Sequence, residues 1–357
     1  MNFTLFGYPK TGKTTLFNLL TGARIETQAY DTGKKEPNLR TCPVPDWRLD
    51  KLGSIYPEKE LKPATMDYVD LAGLSYGEIK TTAYLNYLRR ADGLAHVVRG
   101  FINEQIPHFR KEISPTKDIQ SMEEELVLAD FISVESRLEK LEKELKREKT
   151  LDGEKEKNIL EQIHSHLDKG EAIRELQFTP DEEKRIRHFA FLSKKPILHI
   201  INVDEKDIPL IDTPEKIYST QKKQTAVMAF CGEIELEILE LEGKEKEDFL
   251  AEFGLRELSM NKFIRTTYGL LETITFFTIG KQEIKAWTIK KNTPAITAAG
   301  YIHSDIERGF IRAEVVLFEE LMKHGSFQAA KEKAAVRLEG KDYIIQDGDV
   351  IYFRFSI

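Results

Sequence analysis

The chain has 357 residues, 41% hydrophobic and 32% charged, with a net charge of −7 at neutral pH and a pI near 5.8. That length holds two or three domains, and the acidic balance argues against a globally basic nucleic-acid binder, so no DNA partner is expected. Two cysteines, Cys42 and Cys231, exclude a disulfide framework, and with neither a basic leader nor an apolar run nearing roughly 18 residues, a cytoplasmic protein without a membrane partner is expected.

Residues 3–6, FTLF, read as a short buried strand, and TLFNLL at 15–20 reads as a helix with Leu16, Leu19 and Leu20 on one face. Between them lies GYPKTGKT at 7–14, which matches G-x-x-x-x-G-K-[ST] at every fixed position. Strand, glycine loop and helix together are the setting of a phosphate-binding loop. Its backbone N–H groups and the helix N-terminus would meet anionic phosphate. Tyr8, Pro9, Lys10, Thr11, Gly12, Lys13, Thr14 and Thr15 are therefore candidate nucleotide-binding residues. Lys13 would reach the β and γ phosphates and act in catalysis, and the Thr14 hydroxyl would ligate Mg²⁺.

Further along, MDYVDLAG at 66–73 is an apolar strand ending in Asp-x-x-Gly, about 55 residues after the loop. Asp70 would serve Mg²⁺ and the Gly73 N–H would face the γ-phosphate. The next position is Leu74, where Ras-like enzymes carry a water-orienting Gln; leucine has no polar atom, so slow intrinsic turnover is expected. HVVR at 96–99 and PILHII at 196–201 read as further strands. Between them Val127, Phe131, Val134, Leu138, Leu141 and Leu145 repeat at spacings of four and three, a heptad seam. Leu151-Asp152-Gly153 is expected to break it, and Leu160, Ile163 and Leu167 to continue it, as an antiparallel helical hairpin. Thr179-Pro180-Asp181-Glu182 opens another helix with a capping box.

The strand at 196–201 is followed by Asn202, Val203, Asp204 and Glu205. GTP-specific switch proteins carry Asn-Lys-x-Asp here, the Asp accepting two hydrogen bonds from guanine. Glu205 stands at that Asp, and its extra methylene displaces the carboxylate or crowds guanine, so ATP is the expected nucleotide. The plain alternative is a solvated acidic loop over 204–207. AVMAFCG at 226–232 supplies a strand and a short backbone-rich loop beside the base, with Cys231 and Gly232 as candidate nucleotide contacts and a helix starting near Glu233.

The C-terminal region reads as short strands, among them 284–289 and 350–355, with a turn at 346–349. Lys285, Lys290, Lys291, Arg308, Arg312 and Arg354 could line a surface facing structured RNA, with Trp287, Tyr301 and Phe310 for stacking; core aromatics with scattered charge are the alternative.

Over nearly its full length the chain resembles the YchF family, the Obg-like ATPases. The residues that carry the likeness are GYPKTGKTTLFN, EPN with RTCPVPDWRLDKL at 36–52, VDLAGL at 69–74, HVVRGF at 96–101, NVDE at 202–205, and two C-terminal stretches at 284–316 and 337–355. The C-terminal block resembles the family's TGS domain, a β-grasp module. The resemblance implies a cytoplasmic, ribosome-associated ATPase in which Asn-x-x-Glu sets adenine over guanine. It also matches the family's loop histidine to His108, whose imidazole would orient or deprotonate water. Departures are visible. Lys10 replaces an Asn that in related proteins helps hold a monovalent cation; its ammonium takes the cation's place, or it faces solvent. The switch I threonine that ligates Mg²⁺ falls on Lys34, so Thr32 reaches the ion instead or that ligand is missing. The stretch 75–79 is short for the family.

The expected fold class is α/β: a P-loop NTPase (G-domain-like) with a mostly parallel sheet, an inserted antiparallel coiled-coil hairpin and a C-terminal β-grasp domain. The boundaries are 1–115 and 193–277 for the NTPase domain, 116–192 for the insertion and 278–357 for the β-grasp domain. The expected protein is a monomeric, slow ATPase acting with the ribosome or structured RNA. The alternatives are a nucleotide-sensing module with negligible hydrolysis and a GTPase.

Overall fold

A computed structural model describes residues 1–22, 37–71, 73, 82–104, 106 and 112–356. The expectations for Thr32, Lys34, Leu74, the stretch 75–79 and His108 lie outside the described residues. The chain forms two compact units, one of Met1–Arg40 with Asp67–Leu270 and one of Thr41–Met66 with Leu271–Ile357. In chain order the elements are β1 (Asn2–Phe6), α1 (Lys13–Thr21), β2 (Asn38–Pro43), α2 (Trp47–Ile55), β3 (Glu60–Lys62), β4 (Thr65–Asp70), α3 (Thr82–Arg90) and β5 (Gly93–Arg99). There follow α4 (Pro115–Arg147), α5 (Leu151–Leu167), α6 (Pro180–Ile186), β6 (Ile197–Asn202), β7 (Thr225–Phe230), α7 (Gly232–Glu240), α8 (Gly243–Glu252) and α9 (Ser259–Leu270). The last are β8 (Thr273–Ile279), β9 (Glu283–Lys290), α10 (Ala295–Ile302), α11 (Ser304–Arg308), β10 (Phe310–Leu317), α12 (Phe318–His324), α13 (Phe327–Glu332), β11 (Arg337–Glu339) and β12 (Asp349–Phe355).

The first sheet runs β2-β4-β1-β5-β6-β7, with β1 parallel to β4 and β5, and β6 parallel to β5 and β7. Every residue of β5, GLAHVVR, and of β6, ILHIIN, is buried. Near-continuous apolar strands are what a parallel sheet covered on both faces requires. Because these strands run the same way, the loops after β1, β4, β5, β6 and β7 leave from one edge, where ligands of such sheets bind.

The hairpin of α4 and α5 carries the heptad seam: Val127, Val134, Leu141, Leu160, Ile163 and Leu167 are buried in one cluster with Phe131, Leu138 and Leu145 against it. The helices are antiparallel, since Arg137 meets Glu156 and Lys157 meets Glu142. The break expected at 151–153 lies earlier. Glu148 is extended, Thr150 caps α5 by accepting from the Gly153 N–H at 3.2 Å, and Leu151 to Gly153 are its first turn. The capping box at Thr179 forms with Glu182.

The second sheet runs β11-β10-β12-β8-β9-β3. β8 and β9 form an antiparallel hairpin, β12 pairs parallel with β8, and α10 packs its Ala295, Ala298 and Ala299 into the core. This unit differs from the expected boundaries at both ends of the chain. It begins at Leu271, because β8 is an inner strand, and it takes in Thr41–Met66. β3 adds to β9 in parallel register, and Arg48 of α2 pairs with Asp347 at 2.8 Å. Phe310 belongs to the core and cannot stack on RNA; Trp287 is half-buried, its indole N–H bonded to Thr278 and the Lys285 ammonium 3.8 Å from its ring centre. Arg354 and Lys331 engage Glu314, a buried carboxylate. Among the described residues no helix is long and apolar enough to cross a membrane.

Candidate functional site

The loop between β1 and α1 is held open by its own backbone. Gly7 and Gly12 have φ of 142° and 97°, and neither leaves room for a side chain: a Cβ on Gly7 would meet the Val97 carbonyl at 2.5 Å and one on Gly12 the Asn202 amide at 2.3 Å. Across the way, a Cβ on Gly73 would meet Pro9 at 2.6 Å. α1 has no side-chain cap and no acidic residue in its first turn, so its leading N–H groups are left for an anion. Pro9 and Lys10 are exposed, and Lys10 sits in the left-handed region at φ 62°, a conformation that suits asparagine better. Thr11 is buried, its hydroxyl donating to the Tyr8 carbonyl at 3.2 Å.

Lys13 is buried and donates to the Tyr8 carbonyl at 2.7 Å. Burial lowers its pKa to about 8, with Asp70 pulling the other way. Thr14 donates to Asp70 Oδ2 at 3.1 Å, and Asp70 Oδ1 is buried with no hydrogen-bond partner among the described residues. Burial raises the Asp70 pKa, opposed by Lys13, Thr14 and a hydrogen bond from Asn38. A hydroxyl and an aspartate with an unused oxygen are the hard donors that a magnesium ion bridging to phosphate takes from a protein, and these two residues fit it. Among the described residues no group of three or more His, Cys, Asp or Glu could hold a metal by itself.

Asn202 ties two loops together. Its amide donates to the Thr11 carbonyl at 3.2 Å and accepts from the Gly232 N–H at 3.0 Å. Its amide group is thus spent on positioning the phosphate loop against the start of α7. Val203 is buried, and Glu205 is exposed at the head of the 3-10 turn Glu205–Leu210, with no partner among the described residues. Cys231 is buried before α7 and burial raises its pKa, which keeps the thiol protonated and inert. Thr15 stands beside Gly232, its methyl 2.9 Å from where a Cβ there would be.

Several residues of the site escape a linear reading. Asn38 belongs to the quoted Glu-Pro-Asn run, but only the fold brings it to Asp70. Tyr8 is buried with its hydroxyl 3.2 Å from Glu125 of α4. Beneath Gly7, His96 packs against Phe6 and Tyr8, and its Nδ1 lies 3.2 Å from His199 Nδ1. His199 Nε2 is 3.4 Å from Glu123, which also pairs with Arg174. Burial would raise Glu123, but His199, Arg174 and Lys222 outweigh it and hold the carboxylate down to about 2. Burial holds both histidines neutral. The available signal was a pair of histidines, His96 and His199, inside otherwise apolar strands.

Residues 2–136 match the family described as "50S ribosome-binding GTPase", and residues 273–356 match one described as "Protein of unknown function (DUF933)". The chain is 39% identical over 361 residues to "Ribosome-binding ATPase YchF" of Bacillus subtilis (strain 168), covering 99% of this chain and 98% of that one. It is 41% identical over 360 residues, with the same coverage, to the protein of that name in Haemophilus ducreyi (strain 35000HP / ATCC 700724). Among solved structures, that of the Schizosaccharomyces pombe YchF GTPase superposes with a TM-score of 0.84 at 25% identity, covering 99% of this chain and 97% of the other. The names differ over the nucleotide, ATPase for the sequence relatives and GTPase for the solved structure.

Proposed function

The chain belongs to the YchF family, and from that premise we propose that it is an ATPase of low intrinsic turnover that associates with ribosomes and whose nucleotide state gates that association. The observation that carries the reading is the meeting of Lys13, Thr14 and Asp70 at the mouth of an uncapped helix. In this reading the loop amides and the Lys13 ammonium receive the β and γ phosphates, the Tyr8 carbonyl giving up its hydrogen bond. Magnesium, when bound, neutralises phosphate charge; Thr14 and Asp70 are the residues that would hold it. Asn202 keeps the phosphate loop and Gly232 in register, and Glu205 meets the base, favouring adenine's exocyclic amine over guanine. His108 is the group assigned to orient water, since Leu74 has none to offer.

Ribosome association is supported by the names of relatives that match end to end. Single-turnover cleavage of ATP, with and without ribosomes, tests the proposal. The expected result is slow cleavage that ribosomes change; no cleavage in either arm would retire the enzyme and leave a nucleotide-sensing module. Titration of ATP against GTP, repeated with Glu205→Asp, tests the base: ATP is expected to bind more tightly to the natural chain, and the variant to gain affinity for GTP.

A further inference from the structure

Arg99, the last residue of β5, is in register with Asn202, the last of β6. Where these strands end, two segments of chain are fastened to each other. The Gly100 N–H donates to the Asn202 carbonyl at 2.7 Å. The Ile102 N–H lies 3.2 and 3.1 Å from the two oxygens of Asp204, which accept from it. From within, Arg99 Nε donates to the Phe101 carbonyl at 3.1 Å and Nη2 to the Asn103 carbonyl at 3.2 Å, with the guanidinium 4.6 Å from the centre of the Phe101 ring. Arg99 is 1% exposed and its Nη1 is buried without an acceptor among the described residues. A buried cation is retained against a considerable desolvation cost, and here it organises the backbone of one short loop.

That loop backs the residue that precedes Glu205. Asp204 forms the corner between the end of β6 and the turn Glu205–Leu210, with φ −70° and ψ 161°. Its backbone carbonyl also accepts from the Asp207 N–H at 3.0 Å, closing the turn. Glu205 itself is exposed and its carboxylate has no hydrogen-bond or ion-pair partner among the described residues, so its direction is inherited from the corner. We propose that Asp204 and Arg99 are positioning residues for base selection: they lock residues 100–103 to the corner at Asp204 and so hold Glu205 where it discriminates between purines. The inference rests on the nucleotide reading above and deepens it. Asp204 touches no reacting atom; it acts through Glu205.

The test is calorimetric titration of ATP and of GTP, each with magnesium, into the full chain and into Asp204→Ala and Asp204→Asn. The natural chain is expected to prefer ATP. Asp204→Ala removes the charge-assisted bond to the Ile102 N–H, worth roughly tenfold in an equilibrium constant, together with a 3.7 Å pair to the exposed Lys206, which contributes little, and the ATP-to-GTP affinity ratio is expected to fall by about that factor. Asp204→Asn keeps an acceptor for the Ile102 N–H and is expected to restore most of the ratio. If the alanine form does not fold, Arg99→Lys, which cannot hold the Phe101 and Asn103 carbonyls together, is the second variant, and it is expected to lower the ratio in the same direction. A purely structural role would weaken both nucleotides alike. An unchanged ratio in folded Asp204→Ala overturns the inference and leaves the nucleotide reading standing; no binding of ATP by the natural chain overturns that reading, and the inference with it.

Discussion

The Lys13 ammonium lies in a desolvated pocket with a carbonyl, rather than a carboxylate, as its hydrogen-bond partner, and burial brings its pKa from 10.5 to about 8 against the pull of Asp70. Between those values the folded chain binds fewer protons at this site than the unfolded chain does. Stability therefore rises with pH from about 8 to 10.5, by up to about 3 kcal/mol, and the charged form is the costly one below pH 8. Phosphate reverses the balance, since an anion beside the ammonium favours its charged state. Nucleotide affinity is thus expected to be flat below about pH 8 and to fall above it, with proton uptake on binding. Calorimetry at pH 8.5 in buffers of different ionisation enthalpy measures that uptake, and Lys13→Met removes it. Lys195 is also lowered to about 8 by burial, so the comparison with Lys13→Met isolates the loop lysine.

The same residue shows what a sequence encodes locally. Lys13, Thr14 and Gly12 were legible because a strand, a tight turn and a helix N-terminus fix their geometry within a few residues. Arg99 and Asp204 were not, because the partners are a loop backbone and a carboxylate 105 positions away, brought together only by the pairing of β5 with β6. A charge at the end of an apolar strand said that something had to satisfy it, without saying what.

At the scale of elements, the hairpin is stabilised by its seam more than by its surface charge. Leu141 is 2% exposed and sits midway along the packed faces of α4 and α5. Exposed pairs such as Lys149 with Glu154 contribute about 0–1 kcal/mol each, whereas Leu141→Ala is expected to cost about 2–5 kcal/mol through lost burial and a residual cavity. Leu141 lies 16 residues along α4 from Glu125, the residue that meets Tyr8, or about 24 Å of helix, so the loss belongs to the hairpin. Hydrogen exchange is expected to speed up in α4 and α5, with ATP affinity unchanged within about twofold. The seam was readable from spacing alone, since four-and-three repeats admit few structures. The turn was misread because Gly153 looks like a breaker; in fact its N–H is consumed by the Thr150 cap, and a glycine in a capped first turn costs little.

For the whole molecule, the chain crosses between its two units after Arg40, after Met66 and after Leu270. The strand that ends in Asp70 begins at Thr65, so the division between the units falls within β4. Sequence order alone assigned 41–66 to the nucleotide domain, since nothing local in WRLDKLGSI says which sheet the helix will serve. The side chains do say: Leu49 and Leu52 of α2 are buried, Arg48 is held by Asp347, and the Tyr56 hydroxyl accepts from the Phe327 N–H at 2.8 Å. Truncation after Leu270 should therefore do more than delete a module. It strips 41–66 of the sheet, the aspartate and the amide that order it, exposing apolar side chains worth about 1.5–3 kcal/mol each when buried. Amides of β3 and α2 are expected to lose exchange protection, while those of β5 and β6 keep theirs. ATP binding is expected to weaken as well, because β2, which carries Asn38, and β4, which carries Asp70, then run into an unfolded segment. A truncated chain that binds ATP as tightly as the full chain, with 41–66 still protected, would show that this segment folds with the nucleotide unit alone.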